Sequence, residues 1–163
     1  MRTIPRIIHQ IWSGKYEQLP DMFKELGETW KENHPGWEYR VWNEKDILCF
    51  LADCFPEYID MYHSFYYDIQ RWDVIRYLIL YEIGGMYVDF DYECLGNIEP
   101  LLSEKTYAFA MEPEIHAKLF DKKNVFNNAL MASIPRHLFM KNVIKYVFSQ
   151  KIDKQLRDRK SVV

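Results

Sequence analysis

The sequence predicts a single α/β domain in which helices flank a mostly parallel β-sheet. Apolar or alternating segments of strand length recur between segments of helical periodicity, which is the pattern of layered α/β domains. Residues 68–83 predict a long helix that is apolar around most of its circumference, as expected of a helix buried against a sheet. The length of 163 residues suits one domain with a substantial core.

The first third of the chain predicts a strand, a helix and a second strand. Residues 4–12 indicate a buried strand that ends at the turn pair Ser13-Gly14. Residues 20–33 have apolar side chains on one helical face, and His34-Pro35-Gly36 would end that helix. Residues 37–42 alternate aromatic or apolar with charged side chains, which favours a strand.

The middle of the chain predicts the helices that cover the sheet. Asn43 is a suitable N-cap for a helix that runs to Cys54, and Pro56 favours the start of another short helix. The helix of residues 68–83 would end at Gly84-Gly85, where a left-handed conformation costs little.

The remaining elements are predicted from shorter patterns. They are a strand at 86–89, an extended segment at 90–94, a turn with a short helix at 97–102, a strand at 107–111, a polar loop at 112–123, a buried segment at 127–132 and an amphipathic helix at 135–150.

Residues 1–157 are expected to form the one domain. The last six residues, Asp158 to Val163, are the peptide obtained by translating a widely used sequencing adaptor. We therefore expect residues 158–163 to be a non-native tail and the domain to be truncated at its C-terminal side.

Composition excludes several classes of protein. The formal net charge of −3 without a basic block gives no footprint for nucleic acid. No apolar run approaches the roughly 20 residues of a membrane-spanning helix. Cys49, Cys54 and Cys94 lack a metal-binding spacing, and the first two are expected to be buried thiols. These features predict a cytoplasmic protein, with peripheral association at the inner face of a membrane left open.

The segment Asp89-Phe90-Asp91 places two carboxylates directly after a predicted strand. Two aspartates there can hold a hard divalent ion and leave coordination positions for phosphate oxygens. The motif is too short to be informative alone, because it also fits a solvated strand end.

Asp73 and Arg76 give this motif a context. They are three residues apart on the predicted central helix and so share one face. On an exposed helix they would be an ordinary ion pair, but here apolar residues surround them, and buried charges are costly without partners. A buried carboxylate and guanidinium aimed at a strand end with two more carboxylates suit a ligand with hydroxyls and phosphates.

Together these residues resemble a known family. The pattern Arg71-x-Asp73-x-x-Arg76-Tyr77-x-x-Leu80-x-x-x-Gly84-Gly85-x-Tyr87-x-Asp89-x-Asp91, preceded by residues 4–12, is similar to the sugar-binding region of DXD glycosyltransferases. It resembles glycosyltransferase family 32 in particular, which includes initiating α-1,6-mannosyltransferases and capsular polysaccharide enzymes. The resemblance covers about residues 4–133 and implies a GT-A-like, Rossmann-type fold.

The resemblance also implies a role for each matching residue. In similar enzymes Trp12 would stack on the nucleotide base, and Asp73 and Arg76 would bind the hydroxyls of the donor sugar. Tyr87 would line the donor pocket. Asp89 and Asp91 would hold Mn²⁺ or Mg²⁺ against the diphosphate, with Asp91 the more direct ligand. Either Asn127 or Asn128 would lie near the reacting sugar.

The activity implied is the transfer of a hexose from a UDP- or GDP-sugar to a saccharide or glycolipid acceptor, with retention of configuration, in capsular or surface polysaccharide synthesis. No general base is evident in the sequence, and a front-face mechanism would not require one. His9 lies inside a buried strand, where a hydrogen-bonded core histidine is the preferred interpretation. The family's His-Pro-like element is replaced by Pro135-Arg136-His137, and its further C-terminal elements are not found in the chain.

Three alternatives are weighed against this interpretation. A haloacid-type phosphatase would need its Asp-x-Asp motif earlier in the chain, with partner residues that are not found. A carbohydrate-binding module would be expected to be all-β, contrary to the predicted central helix. A catalytically inactive, truncated fragment that binds nucleotide sugar stays open.

Overall fold

A computed structural model describes residues 3–12 and 18–149 of the chain. The strands are β1 Ile7–Ile11, β2 Glu38–Trp42, β3 Gly85–Val88, β4 Tyr107–Met111 and β5 Phe126–Ser133. The helices are α1 Asp21–Asn33, α2 Glu44–Cys54, α3 Ile59–Ser64, α4 Asp68–Glu82, α5 Glu99–Leu102, α6 Glu114–Leu119 and α7 Leu138–Ser149, with a 3-10 turn at Pro56–Tyr58. The predicted tail at 158–163 and the domain boundary at 157 lie outside the described residues.

The five strands form one mixed sheet in the order β2-β1-β3-β5-β4. Strand β1 runs parallel to both β2 and β3, whereas β5 runs antiparallel to β3 and to β4. Four of the five strands therefore point the same way, and β5 alone is reversed. The predicted α/β class is confirmed, but the sheet is mixed, because two of its four strand pairings are antiparallel. The reversed strand brings the start of β5 to the edge where β1 and β3 end.

Apolar clusters on both faces of the sheet form the core. On one face, α4 is packed through Val74, Ile75, Leu78, Ile79 and Leu80 against side chains of β1, β3 and β5. On the other face, Trp30 of α1 belongs to a second cluster with alternate residues of the same strands. The burial predicted for α4 is confirmed. Burial of its apolar side chains is the main stabilising contribution, at about 1.5–3 kcal/mol for each fully buried side chain.

Two local predictions at helix ends are confirmed. The Asn43 side chain accepts a hydrogen bond from the Asp46 N–H, and the Asp46 carboxylate accepts one from the Asn43 N–H, which forms a capping box at the start of α2. After α4, Gly84 and Gly85 adopt φ values of +74° and +99°. A Cβ on Gly85 would lie 2.6 Å from the Ile7 carbonyl oxygen, so this glycine also permits the close approach of β3 to β1.

Several predicted boundaries need correction. The predicted first strand at 4–12 is shorter in the structure, where it spans Ile7–Ile11. The segment predicted to be extended at 90–94 instead begins with a turn, in which the Tyr92 N–H donates to the Asp89 carbonyl oxygen. The loop predicted at 112–123 contains α6, which starts after Pro113 and buries Ala117.

The prediction for two cysteines is wrong. Cys49 and Cys54 are exposed, and only Cys94 is buried. The buried side of α2 is formed by Ile47, Phe50 and Leu51, which leaves Cys49 on the outer side and Cys54 at the exposed last position of the helix. Among residues 3–12 and 18–149, none of the helices has the length and apolar character needed to cross a bilayer.

His9 is a fully buried histidine with both ring nitrogens hydrogen-bonded. Its Nε2–H donates to the Gly84 carbonyl oxygen at 2.9 Å, and its Nδ1 accepts from the Trp42 indole N–H at 3.1 Å. Burial lowers the pKa of His9 to about 4, while the hydrogen bond to Gly84 acts in the opposite direction. The interpretation of His9 as a core residue is therefore confirmed.

This histidine predicts a pH-dependent stability. In the unfolded chain His9 is protonated below about pH 6.5, whereas in the folded chain it stays neutral down to about pH 4. The free energy of unfolding should therefore fall as the pH drops from 6.5 to 4. The shift corresponds to about 3 kcal/mol. Urea unfolding at several pH values should show a shallower fall for His9→Gln than for the unchanged chain. His63→Gln at an exposed position should keep the original slope, and parallel curves for His9→Gln would contradict the prediction.

Candidate functional site

The predicted site residues come together at the edge of the sheet where β1 and β3 end. Trp12 follows β1, Asp89 and Asp91 follow β3, and Asp73 and Arg76 lie on α4. Because β5 is reversed, its first residues reach the same edge and bring the two asparagines with them. Ligands of open α/β sheets bind at the carboxyl ends of the strands, which is where this cluster lies.

Arg76 lies at the centre of the cluster and is only 3% exposed. Its Nη2 is 2.8 Å from Oδ1 of Asp73, and its Nη1 is 3.4 Å from Oδ1 of Asp89. The same Nη1 donates to the Asn128 carbonyl oxygen at 2.9 Å, and the guanidinium carbon lies 4.5 Å from the centre of the Tyr87 ring. The helical ion pair is therefore one part of a larger arrangement in which one buried cation joins α4, β3 and β5.

Asp89 is held by contacts to its side chain and its backbone. The Tyr87 hydroxyl donates to Oδ1 of Asp89, the Asp89 N–H donates to the Ala129 carbonyl oxygen at 2.8 Å, and Gln10 donates to the Asp89 carbonyl oxygen at 3.3 Å. Burial raises the pKa of the Asp89 carboxyl, and Arg76 and the Tyr87 hydroxyl oppose that rise. Burial also raises the pKa of Tyr87 well above its ordinary value, which keeps the phenol protonated as a donor.

Asp73 is the second carboxylate on Arg76. Burial raises its pKa, and the charge of Arg76 opposes this rise. The Asn128 side-chain amide lies 3.4 Å from Oδ1 of Asp73 and 3.3 Å from the Tyr77 hydroxyl. Asp73 is partly exposed, so one carboxylate of the cluster is fixed by neighbours and still accessible to a ligand.

Asp91 differs from the other carboxylates because it is exposed on the turn after β3. Three carboxylates against one guanidinium leave the cluster of Asp73, Asp89, Asp91 and Arg76 with a formal charge of −2. Within the described part of the chain, no group of three or more His, Cys, Asp or Glu side chains could form a metal site by itself. Two carboxylates nevertheless fit a hard divalent ion such as Mg²⁺, which commonly takes one or two protein carboxylates together with water and substrate phosphates.

The two candidate asparagines have different surroundings. Asn128 reaches Asp73 and Tyr77, as described, and its backbone binds Arg76. Asn127 donates to the Tyr92 hydroxyl at 3.1 Å, and its buried Oδ1 has no hydrogen-bond partner among the described residues. The structure thus brings Asn128, and not Asn127, to the carboxylate–guanidinium cluster.

Trp12 lies at the other end of the site and is half-buried. Its indole ring meets the rings of Phe23 and Phe90 edge-on, with centroid separations of 5.7 Å and 6.1 Å. Phe90 is the central residue of the Asp-x-Asp motif and is buried, so it connects the position of Trp12 to that of the two motif aspartates.

Two residues position the site although the sequence predicted no role for them. Gln10 accepts from the Tyr39 hydroxyl and donates to the backbone of Asp89, so it connects β1 and β2 to the motif. The signal available for Gln10 was a polar side chain inside a buried strand. Tyr77 is one turn after Asp73, and this spacing places both on one face of α4.

A cavity of about 750 Å³ lies elsewhere in the described residues. It is at the opposite edge of the sheet and is lined by residues such as Arg6, Trp37 and Glu99. Glu99 already binds Arg6 and the Trp37 indole there. None of the predicted site residues lines this cavity, so the chemistry of the cluster, and not cavity size, identifies the candidate site.

Comparison with known proteins shows what the chain is similar to. Residues 20–108, more than half of the chain, match the family described as "Glycosyltransferase sugar-binding region containing DXD motif". An inositol phosphoceramide mannosyltransferase of Schizosaccharomyces pombe is 32% identical over 147 residues, which are 88% of this chain and 43% of that protein. A mannosyl phosphorylinositol ceramide synthase of Saccharomyces cerevisiae is 32% identical over 144 residues, 88% of this chain and 35% of that protein. The chain thus spans less than half the length of these two relatives.

A solved structure gives independent support for the fold. The PaToxG glycosyltransferase superposes with a TM-score of 0.63 at 16% sequence identity, covering 91% of this chain and 61% of that one. This similarity confirms the predicted GT-A-like architecture.

The contact between Tyr87 and Asp89 can be tested directly. Tyr87→Phe removes the hydroxyl that donates to Asp89 and keeps the ring against Arg76, so the pKa of Asp89 should rise further and about 1–3 kcal/mol of stability should be lost. Carbon-detected NMR titration of the Asp89 carboxyl measures the shift. Tyr62→Phe, which removes a buried hydroxyl bound to Glu44, is the matched control and should leave Asp89 unchanged. An Asp89 titration unaffected by Tyr87→Phe would show that the hydroxyl does not act on this carboxyl.

Proposed function

The chain belongs to the family of glycosyltransferases with a DXD-containing sugar-binding region, and we propose that its cluster binds the nucleotide-sugar donor of a hexosyl transfer. The observation that carries the proposal is the buried Arg76, which joins Asp73 on α4 to Asp89 of the Asp-x-Asp motif beside the exposed Asp91. A nucleotide-sugar donor has sugar hydroxyls that can bind the Asp73 carboxylate. It also has a diphosphate, which requires positive charge near Asp89.

The proposed orientation follows the order of contacts along the site. The base would lie against Trp12, the diphosphate beside Asp89 and Asp91, and the sugar at Asp73 and Arg76. Asp73 is partly exposed and, when ionised, offers only hydrogen-bond acceptors, so it can receive the hydroxyl hydrogens of a sugar. Arg76 is too fully engaged with protein groups to be the main phosphate ligand, and its role is to fix both carboxylates.

A divalent ion, Mn²⁺ or Mg²⁺, would be held by Asp89 and Asp91. Such an ion supplies Lewis-acid stabilisation of the charge that develops on the leaving diphosphate. Asp91 is the more available of the two carboxylates, because Oδ1 of Asp89 is already bound by Tyr87 and Arg76. The formal charge of −2 around the cluster disfavours a diphosphate by itself and favours it together with a cation.

The transfer would break the bond between the anomeric carbon and the diphosphate oxygen and form a bond from that carbon to an acceptor hydroxyl oxygen. The hydroxyl proton would pass to the leaving phosphate oxygen, which is why no protein base is required. We propose retention of configuration for this step.

The names of the two yeast relatives favour a mannose donor and a glycolipid acceptor. We extend both to this chain as part of the proposal. A saccharide acceptor in capsular or surface polysaccharide synthesis, the cytoplasmic location and peripheral membrane association stay predictions.

The proposal is tested by mixing the chain with UDP- and GDP-hexoses, with and without Mn²⁺, and measuring nucleoside diphosphate release. Release that depends on the metal supports a transferase. Binding without release would favour the inactive nucleotide-sugar-binding fragment, and neither binding nor release with any donor would contradict the proposal.

Asp91→Asn tests the metal site. The substitution removes one of two ligand carboxylates from an exposed turn without creating a cavity, so nucleoside diphosphate affinity in Mn²⁺ should fall about tenfold or more. Affinity in a chelator should not fall, because one negative charge near the diphosphate has been removed. Calorimetric titration measures both. Glu93→Gln, which removes an exposed charge two residues away, is the control and should behave like the unchanged chain. Full Mn²⁺-dependent binding by Asp91→Asn would refute the assignment.

Asp73→Asn tests sugar recognition separately. The amide keeps the size of the side chain but replaces an acceptor-only group with one that also donates, so donor affinity should fall by about 1.5–3 kcal/mol, or roughly tenfold to a hundredfold. The affinity for the bare nucleoside diphosphate should change little. Asp68→Asn, on the same helix and bound to Arg71, is the matched control. Equal losses for the two ligands would mean that the sugar pocket lies elsewhere.

A further inference from the structure

A second cavity, of about 370 Å³, adjoins the cluster. It lies between α4, β4, β5 and α7. Its lining combines the polar side chains of Gln70, Asp73, Asn127 and Asn128 with apolar ones that include Phe65, Phe109 and Val147.

The cavity meets the proposed donor site only at its sugar end. Asp73 and Asn128 line both, whereas Trp12, Asp89 and Asp91 are absent from its lining. A ligand in this cavity would therefore be next to the sugar and removed from the base.

The lining chemistry selects a neutral ligand. Asp73 is the only charged residue that lines the cavity, and neither a lysine nor an arginine does so in the described part of the chain. A phosphate would find no countercharge there. Hydroxyl groups would find a carboxylate and side-chain amides as partners, from Asp73, Gln70, Asn127 and Asn128.

The apolar lining residues are suited to the C–H groups of the same ligand. A six-membered ring with several hydroxyls presents C–H groups between them, and aromatic side chains such as Phe109 and Phe65 can pack on that surface. Apolar and aromatic side chains together with a few polar groups are the usual lining of a small-molecule site.

We propose that this cavity is the acceptor subsite and that it receives a neutral, polyhydroxylated six-membered ring. The inference rests on the proposed function and adds the class of group that accepts the hexose. The ring can be the inositol of a glycolipid or a sugar residue of a saccharide, since both carry the same hydroxyl chemistry.

Val147→Trp tests this proposal by filling the cavity from α7. Transfer is measured with inositol phosphoceramide in mixed micelles and, in a separate arm, with methyl α-D-mannoside. The KM for whichever acceptor is used should rise about tenfold or more, while donor affinity and acceptor-free donor hydrolysis stay within about twofold. Lys145→Trp, on the exposed side of the same helix, should change none of these values.

The outcomes separate the alternatives. A parallel loss of donor affinity in Val147→Trp would mean that the cavity holds donor, and an unchanged acceptor KM would mean that the acceptor binds elsewhere; either overturns the proposal. Phe109→Leu is a second variant, which only removes an aromatic ring from the cavity lining. The acceptor KM can therefore still be tested if Val147→Trp does not fold.

A binding measurement distinguishes failure here from failure of the proposed function. The ring signals of Phe109 in the unchanged chain should shift in NMR spectra when myo-inositol or methyl α-D-mannoside is added, and this readout needs no turnover. Ring binding without donor turnover would support the subsite and contradict the transferase proposal. Donor turnover without any ring-induced shift at Phe109 would overturn the subsite alone.

Discussion

The guanidinium of Arg76 is a buried cation whose placement is possible only because carboxylates from two different elements neutralise it. Removing one partner from a buried ion pair costs about 3–5 kcal/mol, because the remaining charge stays desolvated. Asp73 comes from the same helix, but Asp89 comes from the end of β3, and the Asn128 carbonyl comes from β5. The arrangement therefore fixes the distance between the helix and two strands at the edge where the site lies.

The same constraint explains why Asp89 and Asp91 differ although they are two residues apart. Asp89 is bound by Tyr87 and Arg76 and is held at the edge of the sheet, whereas Asp91 is exposed on the following turn. One carboxylate is positioned by the protein, and the other is available to a ligand. This division suits the short Asp-x-Asp motif to the proposed metal and phosphate site, and the motif alone does not specify it.

Much of the fold followed from the sequence, because burial and capping are local signals. The apolar circumference of α4, the N-cap residue Asn43 and the glycine pair after α4 each predicted the element observed. The reversed direction of β5 could not be predicted, since pairing between distant segments is not encoded in their periodicity. The exposure of Cys49 and Cys54 was missed for a related reason: helical periodicity gives the relative faces of a helix but not the extent of the partner surface that covers it.

The candidate site was predicted as a set of residues, but its arrangement depended on the direction of β5. If β5 ran parallel to β3, its first residues would lie at the opposite edge of the sheet, far from Asp73. The antiparallel pairing brings Asn128 to Asp73 and lets Asn127 line the adjoining cavity. The reversal of β5 therefore brings Asn128 to the carboxylate–guanidinium cluster and Asn127 to the lining of the neighbouring cavity. Because both residues belong to one strand, the geometry of the proposed donor site is coupled to that of the proposed acceptor subsite.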